Sequence, residues 1–231
     1  MLLSRKRLRR IRMATLPTKP DMKDRILETA DRLFYLQGIR AVGVDTIAAE
    51  IGISKRTLYN HFPSKDALIS AYLARRFGAP RPSDKSPVEQ ILGTFDSLER
   101  RFSAKDFRGC PFVNAVAELG DPTHPGAKMA VAFKEQRRLW LRDALARLNV
   151  ADPDGLATQV AILVEGAIIA ALIRGDPGMA GAAKAAARVL LTAAGVPDPD
   201  AVPEPVRRTA RGRSRKSPAG APARKARSRV S

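Results

Sequence analysis

The chain has 231 residues, 45% of them hydrophobic and only 5% aromatic, with 41 Lys and Arg against 23 Asp and Glu and a formal net charge of +18. That length suits one large domain or two small ones, and that apolar share is enough to bury a core. A single cysteine, Cys110, excludes an internal disulfide framework, and two distant histidines, His61 and His124, exclude the ligand spacing of a structural zinc site.

The charge is unevenly placed. Residues 1–20 carry seven Lys or Arg and no acid, and residues 207–231 carry ten and no acid, so the stretch 21–206 is almost neutral. This is the pattern of a globular middle with two basic tails, and it excludes a uniformly basic nucleic-acid coat. The N-terminus MLLSRKRLRRIRM is positive, but no apolar run follows it, so it does not read as a secretory signal. The most apolar window, 160–173, is interrupted by Glu165 and is expected to fall short of a membrane span. The expectation is a soluble, cytoplasmic protein with no membrane partner. No nucleophile–base pair, metal cluster or phosphate loop stands in the sequence, so neither an enzyme nor a metal or other cofactor is expected.

Residues 1–20 read as a disordered arm, with Met1 and Met13 both open as the start. A helix follows from Asp21, whose charge suits a helix N-terminus. Ile26, Leu27, Ala30, Leu33 and Phe34 mark its inner stripe, and Gly38 ends it. The stretch 44–62, VDTIAAEIGISKRTLYNHF, reads as two short helices around a tight turn. Ile47, Ala48 and Ile51 form an apolar stripe, Gly52 frees the turn, Ser54 caps the second helix, and Leu58 points back to the first. Lys55, Arg56, Thr57, Tyr59, Asn60 and His61 are left facing outward. Such a mixture suits phosphates and base edges, or else the solvated face of a plain helical hairpin. Pro63 ends that helix, and Ser64 opens a fourth through Leu68, Ile69, Tyr72 and Leu73 to about Arg76.

On the helix ILETADRLFYLQG followed by VDTIAAEIGISKRTLYNHFPSKDAL, residues 21–76 resemble the DNA-binding domain of the TetR/AcrR family of bacterial transcriptional regulators. The resemblance implies that the first helix packs across the helix-turn-helix and that the fourth joins it to a larger helical domain. Gly43 departs from the Thr or Ser more usual before the second helix. The candidate DNA contacts are Thr46, Ser54, Lys55, Arg56, Thr57, Tyr59, Asn60, His61 and Lys65. Arg56 suits guanine edges and Asn60 adenine, Tyr59 and His61 suit phosphates, and Lys65 resembles the family's phosphate-binding lysine.

Beyond a linker at 78–87, punctuation predicts five more helices and no strand. Ser86-Pro87-Val88-Glu89 is a capping box; Pro111 and Gly120 bracket a short helix; a long one carries Met129, Phe133, Trp140, Leu141, Ala144 and Leu145. Asp152-Pro153 and Asp176-Pro177 open the last two. The fold class is all-α with about nine helices: a helix-turn-helix domain over 21–76 and a second helical domain over 80–195. The resemblance makes that second domain the seat of inducer binding and dimerisation, a match supported locally by the segment GCPFVNA at 109–115.

An inducer pocket there would be lined by Phe95, Phe102, Phe112, Phe133 and Trp140, with Asn114 and Glu118 as polar contacts. Aromatics at helical spacing read equally as plain core. Cys110 is either a small hydrophobe or a redox-sensing thiol. The helix over 156–173 is apolar nearly all round and needs cover on several sides. Leu156, Val160, Leu163, Ala167, Ala170 and Ala171 are assigned to a dimer interface, the alternative being burial within one chain, with Glu165 an interface polar group or a pocket wall. The tail 203–231 is polybasic and read as disordered. Arg211-Gly212-Arg213 resembles the minor-groove AT-hook, with Ser214 where proline normally follows.

The expected protein is a homodimeric regulator that binds a palindromic operator in double-stranded DNA and answers to an unknown small-molecule inducer, a repressor in this reading. The alternative is a nucleoid-associated protein dominated by its basic tails.

Overall fold

The computed structural model describes residues 21–78 and 83–199. The basic arm with its two candidate starts, the C-terminal tail and the Arg-Gly-Arg motif lie outside the described residues. Among the described residues the chain forms nine helices and no strand. They are α1 (Met22–Gln37), α2 (Val44–Ile51), α3 (Lys55–His61), α4 (Lys65–Arg76), α5 (Pro87–Phe102), α6 (Pro111–Leu119), α7 (Pro125–Ala146), α8 (Pro153–Arg174) and α9 (Met179–Ala193).

Side-chain caps set most of these starts. Asp21 accepts from the Asp24 N–H at 2.7 Å, Ser64 from Ala67 at 3.0 Å, and Asp152 from Gly155 at 2.8 Å. Each satisfies a backbone donor that the first turn leaves free. At α5 the box is reciprocal, since the Glu89 carboxylate takes the Ser86 N–H at 2.9 Å. The α2 start has Gly43 in the cap position and no side-chain hydrogen bond.

One buried cluster joins the first four helices to α6 and α7: Ile26, Phe34, Ile47, Leu58, Leu68 and Tyr72 pack with Phe112, Ala115 and Ala130. Cys110 is buried in the same cluster, and its thiol behaves as a small hydrophobe there. A second cluster ties α5, α7, α8 and α9 together through Ile91, Phe95, Leu141, Leu145, Val160 and Leu191. Phe102, Ala167, Ala171 and Ala180 form a small third one. Small side chains at the α8–α9 crossing let the two backbones approach closely.

One expectation about α8 is corrected. At 22 residues it is long and apolar enough to cross a membrane by length and composition, despite Glu165. One of its faces serves packing, with Leu156, Ala157 and Val160 buried in the second cluster.

Candidate functional site

The recognition face is built by a turn and an anchor. Gly52 takes φ 76°, a left-handed conformation that lets α2 stop and α3 leave at an angle. Leu58 is 0% exposed and fixes α3 against α1 and α2. Ser54 caps α3, its Oγ accepting the Thr57 N–H at 3.0 Å and sharing a 2.8 Å hydrogen bond with the Thr57 hydroxyl. These two hydroxyls are therefore engaged with each other, whereas Arg56, Asn60 and His61 are exposed and make no hydrogen bond or ion pair among the described residues. Tyr59 stands beside them, 39% exposed. Lys55 is held by Asp45 of α2 at 3.0 Å, and this hydrogen bond and charge raise its pKa above the ordinary lysine value. Thr46 is exposed at the start of α2, and Lys65 is half-buried in the first turn of α4.

Polar bridges fix this face to the rest of the chain. The Tyr35 hydroxyl donates to the Gly109 carbonyl at 3.1 Å and accepts from the Arg108 N–H at 2.9 Å, so α1 holds the loop before α6. Glu118, at the end of α6, accepts the Arg40 N–H at 2.9 Å. A Cβ on Gly38 would stand 2.9 Å from that carboxylate and displace it, and Gly38 takes φ 96°, which disfavours a side chain there. His124 caps α7 by accepting the Gly126 N–H on Nδ1 at 2.9 Å. Its Nε2 lies 3.3 Å from the Asp66 carboxylate of α4, within ion-pair reach but not aligned as a hydrogen bond. Arg76 at the end of α4 grips Asp31 of α1 through two hydrogen bonds, at 2.6 and 2.8 Å, and lies 4.5 Å from the centre of the Tyr35 ring. Among the described residues no group of three His, Cys, Asp or Glu is placed to hold a metal ion.

A groove of about 840 Å³ opens between α5, α6, α7 and α8. Val113, Val116, Ile162 and Ile169 give it apolar walls, and Lys134, Glu135, Arg137, Arg138 and Glu165 bring charge to it. Of the residues expected to line a pocket, Phe112 and Trp140 do so. The others are elsewhere. Phe95 is locked in the second core cluster and Phe102 in the third. Phe133 stacks on Phe112 with centroids 3.9 Å apart. The Asn114 amide donates to the Arg108 carbonyl, and Glu118 holds Arg40. Glu165 is a wall of the groove, its two oxygens each 2.6 Å from Lys134 Nζ.

The fold is shared with known proteins. The sequence profile of bacterial regulatory proteins of the tetR family matches residues 26–72, from within α1 to within α4. A crystal structure of a TetR transcriptional regulator from Streptomyces avermitilis is 32% identical, covering 77% of this chain and 100% of its own with a TM-score of 0.70. A TetR-family regulator from Streptomyces coelicolor is also 32% identical, covering 74% of this chain and 94% of its own, with a TM-score of 0.68. The chain belongs to the TetR family. Another relative, the HTH-type transcriptional regulator LmrA of Bacillus subtilis, is 27% identical over 164 residues, 66% of this chain and 87% of its own.

As a TetR-family DNA-binding transcriptional regulator, the chain carries its helix-turn-helix on α2 and α3. The α8 residues expected at a dimer interface differ in how far the chain itself covers them. Leu156, Val160, Ala167 and Ala171 are 7%, 0%, 4% and 2% exposed, packed against neighbouring helices of the same chain. Leu163 and Ala170 are half-buried. Apart from the groove walls Ile162 and Ile169, α8 exposes Leu172 and Ile173 near its end and α9 exposes Val189; Ile173 is 78% exposed and Val189 68%. Exposed β-branched residues at helical spacing were available as a signal, but a helix apolar on every side gives no period with which to choose between its faces.

Proposed function

We propose that this TetR-family regulator is a ligand-responsive repressor that binds a palindromic operator as a homodimer, working on bacterial chromosomal DNA in the cytoplasm. The observation that carries this reading is the pairing of a free recognition face on α3 with an apolar groove whose wall, α6, also holds the loop before the helix-turn-helix through Glu118 and Arg40. Residues 21–76 serve as the DNA-binding domain and 80–195 as the effector and dimerisation domain. Arg56 and Asn60 read bases; Lys55, Tyr59, His61, Thr46 and Lys65 hold phosphates; Ser54 and Thr57 chiefly keep α3 in place. Two α3 helices about 34 Å apart would enter successive major grooves.

Dimerisation would use the outward face of α8 and α9. Leu172 and Ile173 of α8 and Val189 of α9 are exposed apolar surface outside the groove, of the kind that association covers. A groove ligand acts as an inducer if it binds better to the state whose α3 separation does not fit the operator, and DNA must then weaken the ligand by the same factor. No metal or other cofactor enters this scheme.

The test is selection of bound sequences from a random DNA pool, with the mass of the complex measured in parallel. A palindromic site bound by two chains is expected, and Ile173→Glu with Val189→Glu should give monomers that lose the site. Binding indifferent to sequence would favour a nucleoid-associated role in which the basic tails dominate.

A further inference from the structure

Three cations line the groove, and their partners differ. Lys134 spends its charge on Glu165, with both carboxylate oxygens at 2.6 Å. Arg138 is chelated by Glu135 at 2.9 and 2.7 Å and bonds Asp154 at 2.6 Å. Arg137 makes no hydrogen bond or ion pair among the described residues; its guanidinium lies 5.5 Å from the centre of the Trp140 ring. We propose that the groove takes an anionic ligand with an apolar body, its carboxylate or sulfonate paired with the Arg137 guanidinium. The inference rests on the effector reading given above and names the chemical class of that effector.

The argument is one of unmet electrostatic need. Burial lowers the pKa of Arg137, and the charge of Glu165 opposes this only in part. A guanidinium does not deprotonate in proteins, so the desolvation is carried as a standing cost until an anion arrives. Its planar fork matches a carboxylate or sulfonate through two parallel hydrogen bonds. The neighbouring hydroxyls do not compete as donors, because Thr94 gives its proton to the Gln90 carbonyl and Thr158 to that of Asp154. A cationic ligand would find Glu135 and Glu165 already taken. Val113, Val116 and Ile162 then receive the apolar body, and the Trp140 indole beside Arg137 gives an aromatic portion a flat partner.

Two fluorescent probes share one apolar body and differ in charge: 1-anilinonaphthalene-8-sulfonate and its uncharged parent, N-phenyl-1-naphthylamine. Trp140 is the only tryptophan of the chain, so energy transfer from it reports binding near the groove, and dependence on Arg137 localises it there. The full-length protein at moderate salt should bind the sulfonate at least about tenfold more tightly than the parent, as a charge-assisted pair allows. Arg137→Gln should erase that preference while leaving affinity for the parent within about twofold. The basic tails are identical in both proteins and cancel from the comparison. Equal affinity for the two probes in the unmodified protein overturns the anion assignment and leaves the effector reading standing, as does an unchanged sulfonate affinity in Arg137→Gln. Failure of both probes to receive energy from Trp140 removes both readings. Should Arg137→Gln not fold by circular dichroism, the probe pair on the unmodified protein and on Arg137→Lys decides alone: a retained preference supports the proposal and its absence overturns it.

Discussion

Glu118 and Arg40 are 78 positions apart in the chain, yet the carboxylate of the first accepts the backbone N–H of the second at 2.9 Å. Glu118 ends the helix whose Val113, Val116 and Ala117 wall the groove, and Arg40 stands four residues before α2. A displacement of α6 therefore reaches the helix-turn-helix through one hydrogen bond. Glu118→Ala should lose about 1 kcal/mol of stability. It should also speed hydrogen exchange at the Arg40 amide by at least about fivefold. Glu118→Gln keeps an oxygen at the same place and should restore most of the protection. Unchanged exchange in the alanine variant would remove this contact from the coupling.

Tyr35 joins the same two regions from the other side. Its buried hydroxyl serves the Gly109 carbonyl and the Arg108 N–H together. Tyr35→Phe leaves the ring and its packing but strips both backbone groups of their partner, and the Arg101 guanidinium of a longer contact at 3.4 Å, which should cost about 1–3 kcal/mol for the unsatisfied groups. Urea unfolding should show the loss as a lower midpoint with an unchanged slope. A midpoint equal to that of the parent protein would mean that water replaces the hydroxyl at no cost.

The helix borders were legible because each is written in residues that act locally. Asp21, Ser64, Ser86 and Asp152 cap as their positions foretell, and Gly38, Gly52, Gly120 and Gly175 stop helices with positive φ. The outward placement of Arg56, Asn60 and His61 was legible for the same reason, since Leu58 is the one buried side chain of that short helix. The groove was not. Phe95 and Phe102 share the spacing of Phe112, and only tertiary packing decides which rings meet a core and which a cavity. Lys134, Glu135, Gln136, Arg137 and Arg138 form one polar run on α7, which in sequence reads as a plain solvated face. For α8, inward and outward faces are equally apolar, so its buried Val160 and its exposed Ile162 look alike in sequence.

Arg56 and Lys65 should separate base reading from phosphate holding. Arg56 is exposed on α3 with no internal partner among the described residues, whereas Lys65 is half-buried in the first turn of α4. Arg56→Ala should relax preference at one operator position by about 1–3 kcal/mol. Lys65→Ala should weaken all sequences alike and make the salt slope shallower by about 1. Competition binding with single-base operator variants at several salt concentrations measures both. If neither change alters binding, α3 does not dock in the assigned way.

The tails should divide labour with this face. Seventeen of the 41 basic residues lie in 1–20 and 207–231, while 21–206 are almost neutral, so the long-range attraction for DNA cannot come mainly from the folded part. Phosphate neutralisation releases counterions and shows as a linear fall of log affinity with log salt. A chain trimmed to residues 13–206 should therefore keep its order of preference among operator variants while losing much of its salt dependence and its association rate. The measurement is binding by fluorescence anisotropy from about 50 to 200 mM salt, on a selected operator and on a scrambled duplex. The full chain should show the steeper slope on both duplexes by a similar amount, because phosphate contacts carry no sequence information. An unchanged slope after trimming would place the electrostatic work on α3 and α4 instead, and Lys55, Arg56 and Lys65 would then have to supply it.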